Sequence, residues 1–323
     1  MSKKNGATSL PGPQEFQFPQ PKPDVPWGTF IYNKSEGTYF GRTIKSWSKL
    51  MIFYVVFYAV LAAMFAICMQ GLFNSLSETE PKWQLSKSLI GTNPGLGYRP
   101  QSEKETERGS IIQFDSKKSD EKQFWVDLLN EFLDVYNDRT KLPEKGAKQK
   151  ICGFNDTSVT NGDKVCEVDL TQFGPCSPQN SFGYNNSQPC IFLKLNKIYG
   201  WQPDFYDNVN ELPEEMPEEL KKYIASKPSE ERKQVWVSCK GQFGTDKETV
   251  NNIKYFPDRG FPSFYYPYLN QPGYLSPLVA VQFERPKSHE MMNVECRAWA
   301  KNIIYNGSIR DRMGSVAFQI LID

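Results

Sequence analysis

Histidine is almost missing from this sequence: His289 is the single one in 323 residues. A Ser/His/Asp or Cys/His catalytic site would have to use it as the base, and its neighbours in KSHEMMN read as a solvated turn. The HExxH pattern of zinc hydrolases does not occur, nor does any CxxC pair of the kind that builds a structural zinc site. No two aspartates stand two apart, which removes the Asp-x-Asp motif by which sugar-nucleotide transferases hold a divalent metal. Carboxylates are plentiful, but no spacing singles out the pair that glycoside hydrolysis needs. The glycines of GTNPGLGYRP follow no strand and precede no Gly-Lys-Ser/Thr, so they do not form a phosphate loop. Net charge is lacking too: 38 Lys and Arg against 37 Asp and Glu leave +1, without the basic field that nucleic-acid binding requires. Together these absences argue against an enzyme, a cofactor, a metal site or a nucleic-acid partner.

One absence is local. From Leu50 to Phe73 (LMIFYVVFYAVLAAMFAICMQGLF) no side chain is charged, and the next charge is Glu78. Twenty-four residues make roughly 36 Å of helix, enough to cross a hydrocarbon core of about 30 Å with some tilt. A buried helix of a soluble domain would carry a polar face, so the stretch reads as a membrane span. Lys34, Arg42, Lys45 and Lys49 precede it, whereas Glu78 and Glu80 follow, and the positive-inside bias puts residues 1–49 in the cytosol and residues 74–323 outside. Asn74 onward offers no convincing cleavage site, so the span is expected to stay as the signal-anchor of a type II single-pass protein.

Seven cysteines divide along that boundary. Cys68 lies in the span, where a small thiol packs as an apolar group. Cys152, Cys166, Cys176, Cys190, Cys239 and Cys296 all fall on the oxidising side, and six there imply three disulfides. Fifteen pairings are open; two equal spacings of fourteen favour Cys152 with Cys166 and Cys176 with Cys190, leaving Cys239 with Cys296.

In chain order, the Pro-rich residues 1–26 are expected to be disordered, since they cannot bury enough apolar surface to offset their ordering entropy. From Trp27, WGTFIYNKSEGTYFGRTIKSW is rich in aromatics and should be ordered against something. Residues 74–118 read as an extended stalk with turns, and residues 119–323 as the folded external domain. Ser119 can cap a helix with Phe124, Trp125, Leu128, Leu129, Phe132, Leu133 and Tyr136 on one face, suited to covering a sheet. A second short helix begins at MPEELKKYI. Asn155, Asn185 and Asn306 are external glycosylation sequons; Asn33 matches the same pattern but lies on the cytosolic side, where it should stay bare.

Period two sets in at Val235. Val235, Val237 and Cys239 share one face, as do Val294, Cys296, Ala298 and Ala300, and Val316, Phe318, Ile320 and Ile322, while LVAVQF adds another strand. The last disulfide would then staple the inward faces of two opposed sheets. No Trp follows Cys239 at the antibody distance, and Val294 stands where a Tyr would precede Cys296. The expected fold is mainly β: one transmembrane helix, then an immunoglobulin-like β-sandwich ectodomain with one or two packed helices and three disulfides.

GRTIKSW before the span, FYVVFY inside it, and GYNNSQPCIFLKLNKIYGWQP, YYPY, YLSPLVAVQF, CRAWAKNIIY and DRMGSVAF after it resemble the beta subunits of the sodium/potassium-transporting ATPase, over the length from about Trp27 to the C-terminus. The resemblance implies consecutive pairing of the six cysteines. It also implies a non-catalytic partner of a P-type ATPase alpha subunit, one that folds with alpha, carries it to the plasma membrane and adjusts its ion affinity. Such pumps phosphorylate an aspartate within DKTGT; the nearest string here, TDKET, lacks the glycine. The implied alpha contacts are Tyr54, Phe57 and Tyr58 in the span and Tyr265, Tyr266 and Tyr268 of YYPY. A small single-span regulatory subunit and membrane lipid are further partners that the resemblance allows. The alternatives are the beta subunit of a proton/potassium pump and a type II cell-adhesion glycoprotein.

Overall fold

A computed structural model describes residues 26–102, 111–156, 164–246, 250, 252–308 and 310–323. The Pro-rich segment expected to be disordered lies, up to residue 25, outside the described residues. The chain divides into two compact units, up to Ser75 and from Leu76 onward.

In the first unit, helix α1 (Trp27–Ile31) leads into a small antiparallel sheet of β1 (Tyr32–Asn33), β2 (Thr38–Tyr39) and β3 (Arg42–Thr43). Its aromatics order it from within: Tyr32 packs on Tyr39 at 4.8 Å, and Phe30 meets Trp27 and Phe40 edge-on. Helix α2 (Ile44–Asn74) follows, started by the Thr43 hydroxyl, which accepts from the Ser46 amide, and by Trp47, whose indole donates to the Tyr39 carbonyl at 2.8 Å. With 31 residues, α2 is long and apolar enough to cross a membrane, and none of its side chains is buried. It begins six residues before the apolar run, because Lys45 and Lys49 are good helix formers and the cap lies at Thr43.

The second unit is built on two sheets. The stretch from Leu76 to Phe114 contributes β4 (Leu96–Arg99) and β5 (Ile111–Phe114). Next come α3 (Ser119–Asn137), the short pair β6 (Gln149–Lys150) and β7 (Val165–Cys166), β8 (Cys190–Leu195), α4 (Glu218–Ser226) and β9 (Gln234–Gly241). Finally β10 (Ile253–Phe256), β11 (Gly260–Pro262), β12 (Val279–Phe283), β13 (Met292–Trp299) and β14 (Ser315–Ile322) complete the unit. One sheet has the order β10-β12-β8-β4; the other, β11-β9-β13-β14-β5, is antiparallel except for β5 beside β14. Between them lies one apolar core, in which Phe318 of β14 stacks on Tyr98 of β4 at 4.9 Å and meets Phe283 of β12 edge-on.

Helices cover the outer faces. On one side, Leu220 and Ile224 of α4 close with Met216 over Trp236 and Trp299, which point out of the five-stranded sheet. On the other, α3 buries Trp125, Val126, Leu129 and Leu133, and its Phe132 lies beneath Arg99 and Lys194 of the four-stranded sheet. The N-cap position of α3 is Lys118 and Ser119 is already helical, so no side chain caps this helix; Asp120 and Glu121 in the first turn favour the positive end of its dipole instead.

Two expectations change. The region read as a stalk supplies an edge strand to each sheet, with Leu96, Tyr98, Ile112 and Phe114 buried, so folding begins well before Ser119. Cys239 and Cys296 do face inward, but they lie directly opposite each other on β9 and β13, neighbours in one sheet, with Cα atoms 4.0 Å apart. That bridge is a rung within a sheet and joins no opposed layers. The other disulfides are Cys152–Cys166 and Cys176–Cys190; the latter, with both cysteines buried, fixes the turn Pro178–Asn186 to the start of β8.

Candidate functional site

Among the described residues no three His, Cys, Asp or Glu side chains converge on a point that could hold a metal. His289 is exposed, its Nδ1 3.5 Å from an Asp323 carboxylate oxygen. What the second unit does offer is an open cleft of about 350 Å³, lined by Ser77–Pro81, Tyr199, Tyr268 and Asn270.

Backbone pairing builds its wall. Tyr199 and Tyr268 form an isolated parallel bridge, and the Gly200 amide donates to the Tyr268 carbonyl at 2.8 Å, with Gly200 in the left-handed region at φ 71°. The two rings meet edge-on at 6.5 Å. A short relay then ties the segment that follows α2 in sequence to this wall: the Tyr268 hydroxyl donates to Asn270 Oδ1 at 2.9 Å, and Asn270 Nδ2 donates to the Thr79 carbonyl at 3.2 Å. Burial pushes the Tyr199 hydroxyl pKa up, and the neighbouring Glu80 carboxylate adds to the shift.

The three tyrosines of YYPY therefore have different surroundings. Tyr265 is buried and donates its hydroxyl to the Glu167 carbonyl at 2.8 Å; burial pushes its pKa up. Tyr266 packs edge-on against Trp201 at 5.7 Å, and its buried hydroxyl has no hydrogen-bond partner among the described residues. Only Tyr268 lines the cleft. In α2, Tyr54 and Tyr58 stack at 6.1 Å and Phe53 and Phe57 at 6.2 Å, giving one exposed aromatic strip. Of the sequons, Asn155 and Asn185 are exposed, while Asn306 is half-buried and pairs through its backbone with Met313. Asn33 accepts hydrogen bonds from the amide and hydroxyl of Ser35.

Residues 21–318 match the family model described as the sodium / potassium ATPase beta chain. The chain belongs to that family. It is 57% identical to sodium/potassium-transporting ATPase subunit beta-1 of Drosophila melanogaster over 323 residues, covering both chains completely. Identity to subunit beta-2 of the same fly is 46% over 296 residues, 91% of this chain and 90% of that one. Human subunit beta-2 is 30% identical over 311 residues, 92% of this chain and 94% of its own. Within this beta-chain framework, Thr79, Tyr199 and Asn270 carry the cleft; Tyr199 lies in the motif GYNNSQPCIFLKLNKIYGWQP without being marked as a site residue, and no sequence motif marks Thr79 or Asn270. Thr79 and Asn270 are 191 positions apart and lie in loops, where no periodicity links one residue to another.

Proposed function

We propose that this chain is the non-catalytic beta subunit of a sodium/potassium-transporting P-type ATPase. It binds the catalytic alpha subunit, supports alpha's folding and delivery to the plasma membrane, and adjusts its ion affinity during sodium export and potassium import. The observation that carries this reading is the end-to-end likeness, at 57% identity, to a sodium/potassium-transporting ATPase beta subunit. In this reading residues 1–49 face the cytosol, residues 50–73 cross the membrane and residues 74–323 are extracellular. Tyr54, Phe57 and Tyr58 dock on an alpha helix within the bilayer, and Tyr268 with its cleft meets an extracellular part of alpha.

Physical chemistry supports the intramembrane contact. Neither the Tyr54 nor the Tyr58 hydroxyl hydrogen-bonds within the described residues, and a phenol in hydrocarbon gains from a partner on another helix by roughly 0.6 to 2 kcal/mol. Replacing both with leucine is expected to shift the potassium concentration for half-maximal pumping while surface delivery persists. Unchanged transport kinetics would remove this contact from the account. Orientation has its own check: N-glycosidase digestion should release up to three glycans, and Asn33→Gln should leave that shift unaltered. A glycan on Asn33 would reverse the topology.

A further inference from the structure

Many basic side chains of the second unit are neutralised locally; Lys118, Lys221, Lys227, Lys254 and Lys301 each have a carboxylate within 4.0 Å. Arg99 on β4, Lys194 on β8 and Lys197 just beyond it differ. None of the three forms an ion pair among the described residues, and each lies over aromatic rings instead. The Arg99 guanidinium is 5.8 Å and the Lys194 ammonium 5.6 Å from the centre of Phe132, while the Lys197 ammonium is 5.2 Å from both Tyr268 and Tyr274.

These rings form one strip. Phe132 packs on Tyr136 at 5.7 Å, the Tyr136 hydroxyl donates to the Ser276 carbonyl at 3.1 Å, and Tyr274 packs on Tyr268 at 4.9 Å. The strip thus runs from α3 to the cleft. A ring face attracts a cation but cancels no charge. Burial, and then the neighbouring cation, hold both lysines below the usual ammonium range: Arg99 acts on Lys194, and Lys194 on Lys197. Arg99 and Lys194 are half-buried and Lys197 is exposed, so like charges stand close together with no carboxylate paired to them among the described residues, and an arriving carboxylate gains electrostatic energy.

We infer that the Arg99, Lys194 and Lys197 strip is a docking surface for an acidic segment of a partner polypeptide, whose aspartates and glutamates supply counter-charges that none of the described residues provides. A polypeptide fits better than a lipid headgroup because the cations are spread from Phe132 to Tyr268 instead of converging on one phosphate-sized point. The strip ends at the cleft residue Tyr268, so the inference rests on the proposed alpha contact there, and the acidic segment is expected in alpha.

Carbodiimide condenses a carboxylate and an amine into an amide, with the displaced oxygen leaving on the urea, and so records close ion pairs. Applied to membranes holding the full chain assembled with a sodium/potassium-transporting ATPase alpha subunit, it should yield a peptide joining Lys194 or Lys197 to an Asp or Glu of alpha. The internal pair of Lys254 and Glu284, 2.6 Å apart, reports whether the reagent reached the domain. Finding the internal link without the link to alpha overturns the inference. Independently, the Lys194→Glu, Lys197→Glu double variant should lower alpha recovery at about 0.15 M salt by roughly tenfold. The corresponding Lys→Met pair, which keeps the aliphatic stems, should lower it less. If Tyr268→Ala abolishes alpha recovery and the charge reversal leaves it unchanged, the inference fails while the cleft reading stands. If the cross-link to alpha forms and Tyr268→Ala has no effect, the cleft reading fails and the strip stands. If charge reversal instead weakens binding to phosphatidylserine vesicles with alpha recovery unaffected, the surface faces lipid and the polypeptide assignment is wrong.

Discussion

Replacing Cys176 and Cys190 with serine is expected to destabilise the second unit as severely as replacing Cys239 and Cys296, and more than replacing Cys152 and Cys166. Chain entropy alone would rank them otherwise: the two fourteen-residue bridges should each contribute about 3 kcal/mol and the 57-residue bridge about 4 kcal/mol. Position alters the order. Cys239 and Cys296 link strands that already pair along six residues, so their bridge reinforces a contact the backbone makes anyway. Cys176 and Cys190 are both fully buried, and two serine hydroxyls there would each cost about 1 to 3 kcal/mol if left without partners. Cys152, by contrast, is half-buried beside an exposed loop. Against a domain stability of about 5 to 15 kcal/mol, either severe pair removes a large share, equivalent to a fall of roughly 10 °C or more in the unfolding midpoint. Thermal unfolding of the full chain in detergent, followed by tryptophan fluorescence, measures all three. A Cys152 and Cys166 variant that melts lowest would contradict the ranking.

Gly183→Ala is expected to be similarly damaging, for a backbone reason. Gly183 sits in the turn between Cys176 and Cys190 at φ 77°, and a Cβ there would lie 2.1 Å from the Gln188 carbonyl oxygen. The same carbonyl region is held by the Gln188 amide donating to the Gly183 oxygen at 3.0 Å, so the turn cannot open without losing a hydrogen bond. Left-handed strain of about 1 to 2 kcal/mol adds to the overlap, for a total of at least about 3 kcal/mol. Gly97→Ala is the control: in β4 its Cβ would meet nothing closer than 3.7 Å, and the change should be nearly silent. Equal melting of the two variants would show that the turn is looser than its geometry implies.

Periodicity explains which parts of the fold could be read from the residues. The apolar run of α2 and the alternation in β14 each reflect one dominant environment per face, so that environment writes itself directly into the pattern. Strand β8 does not alternate: five of its six residues are buried, because α3 and the Pro178–Asn186 turn cover the side that would otherwise face water. In β9 likewise, Trp236 and Ser238 lie under cover on the outer face, although Val235 and Val237 alone suggested a one-sided strand. The four-residue strands β4 and β5 are too short to display a period, and Gly95, Gly97 and Pro100 disguised β4 as a turn. Spacing favours the observed cysteine pairing and the family resemblance implies it, yet the sheet to which each cysteine belongs depends on strand order, which no local pattern encodes. YYPY stands out in the sequence as a motif; only packing distinguishes Tyr268 at the cleft from Tyr265 in the core.

Extraction of the full chain in mild detergent after co-expression with a sodium/potassium-transporting ATPase alpha subunit tests the central claim most directly. Alpha is expected to co-purify at about one copy per chain, and omission of this chain is expected to lower the amount of mature alpha at the plasma membrane. Recovery of this chain alone, with alpha equally abundant at the surface in its absence, would contradict it.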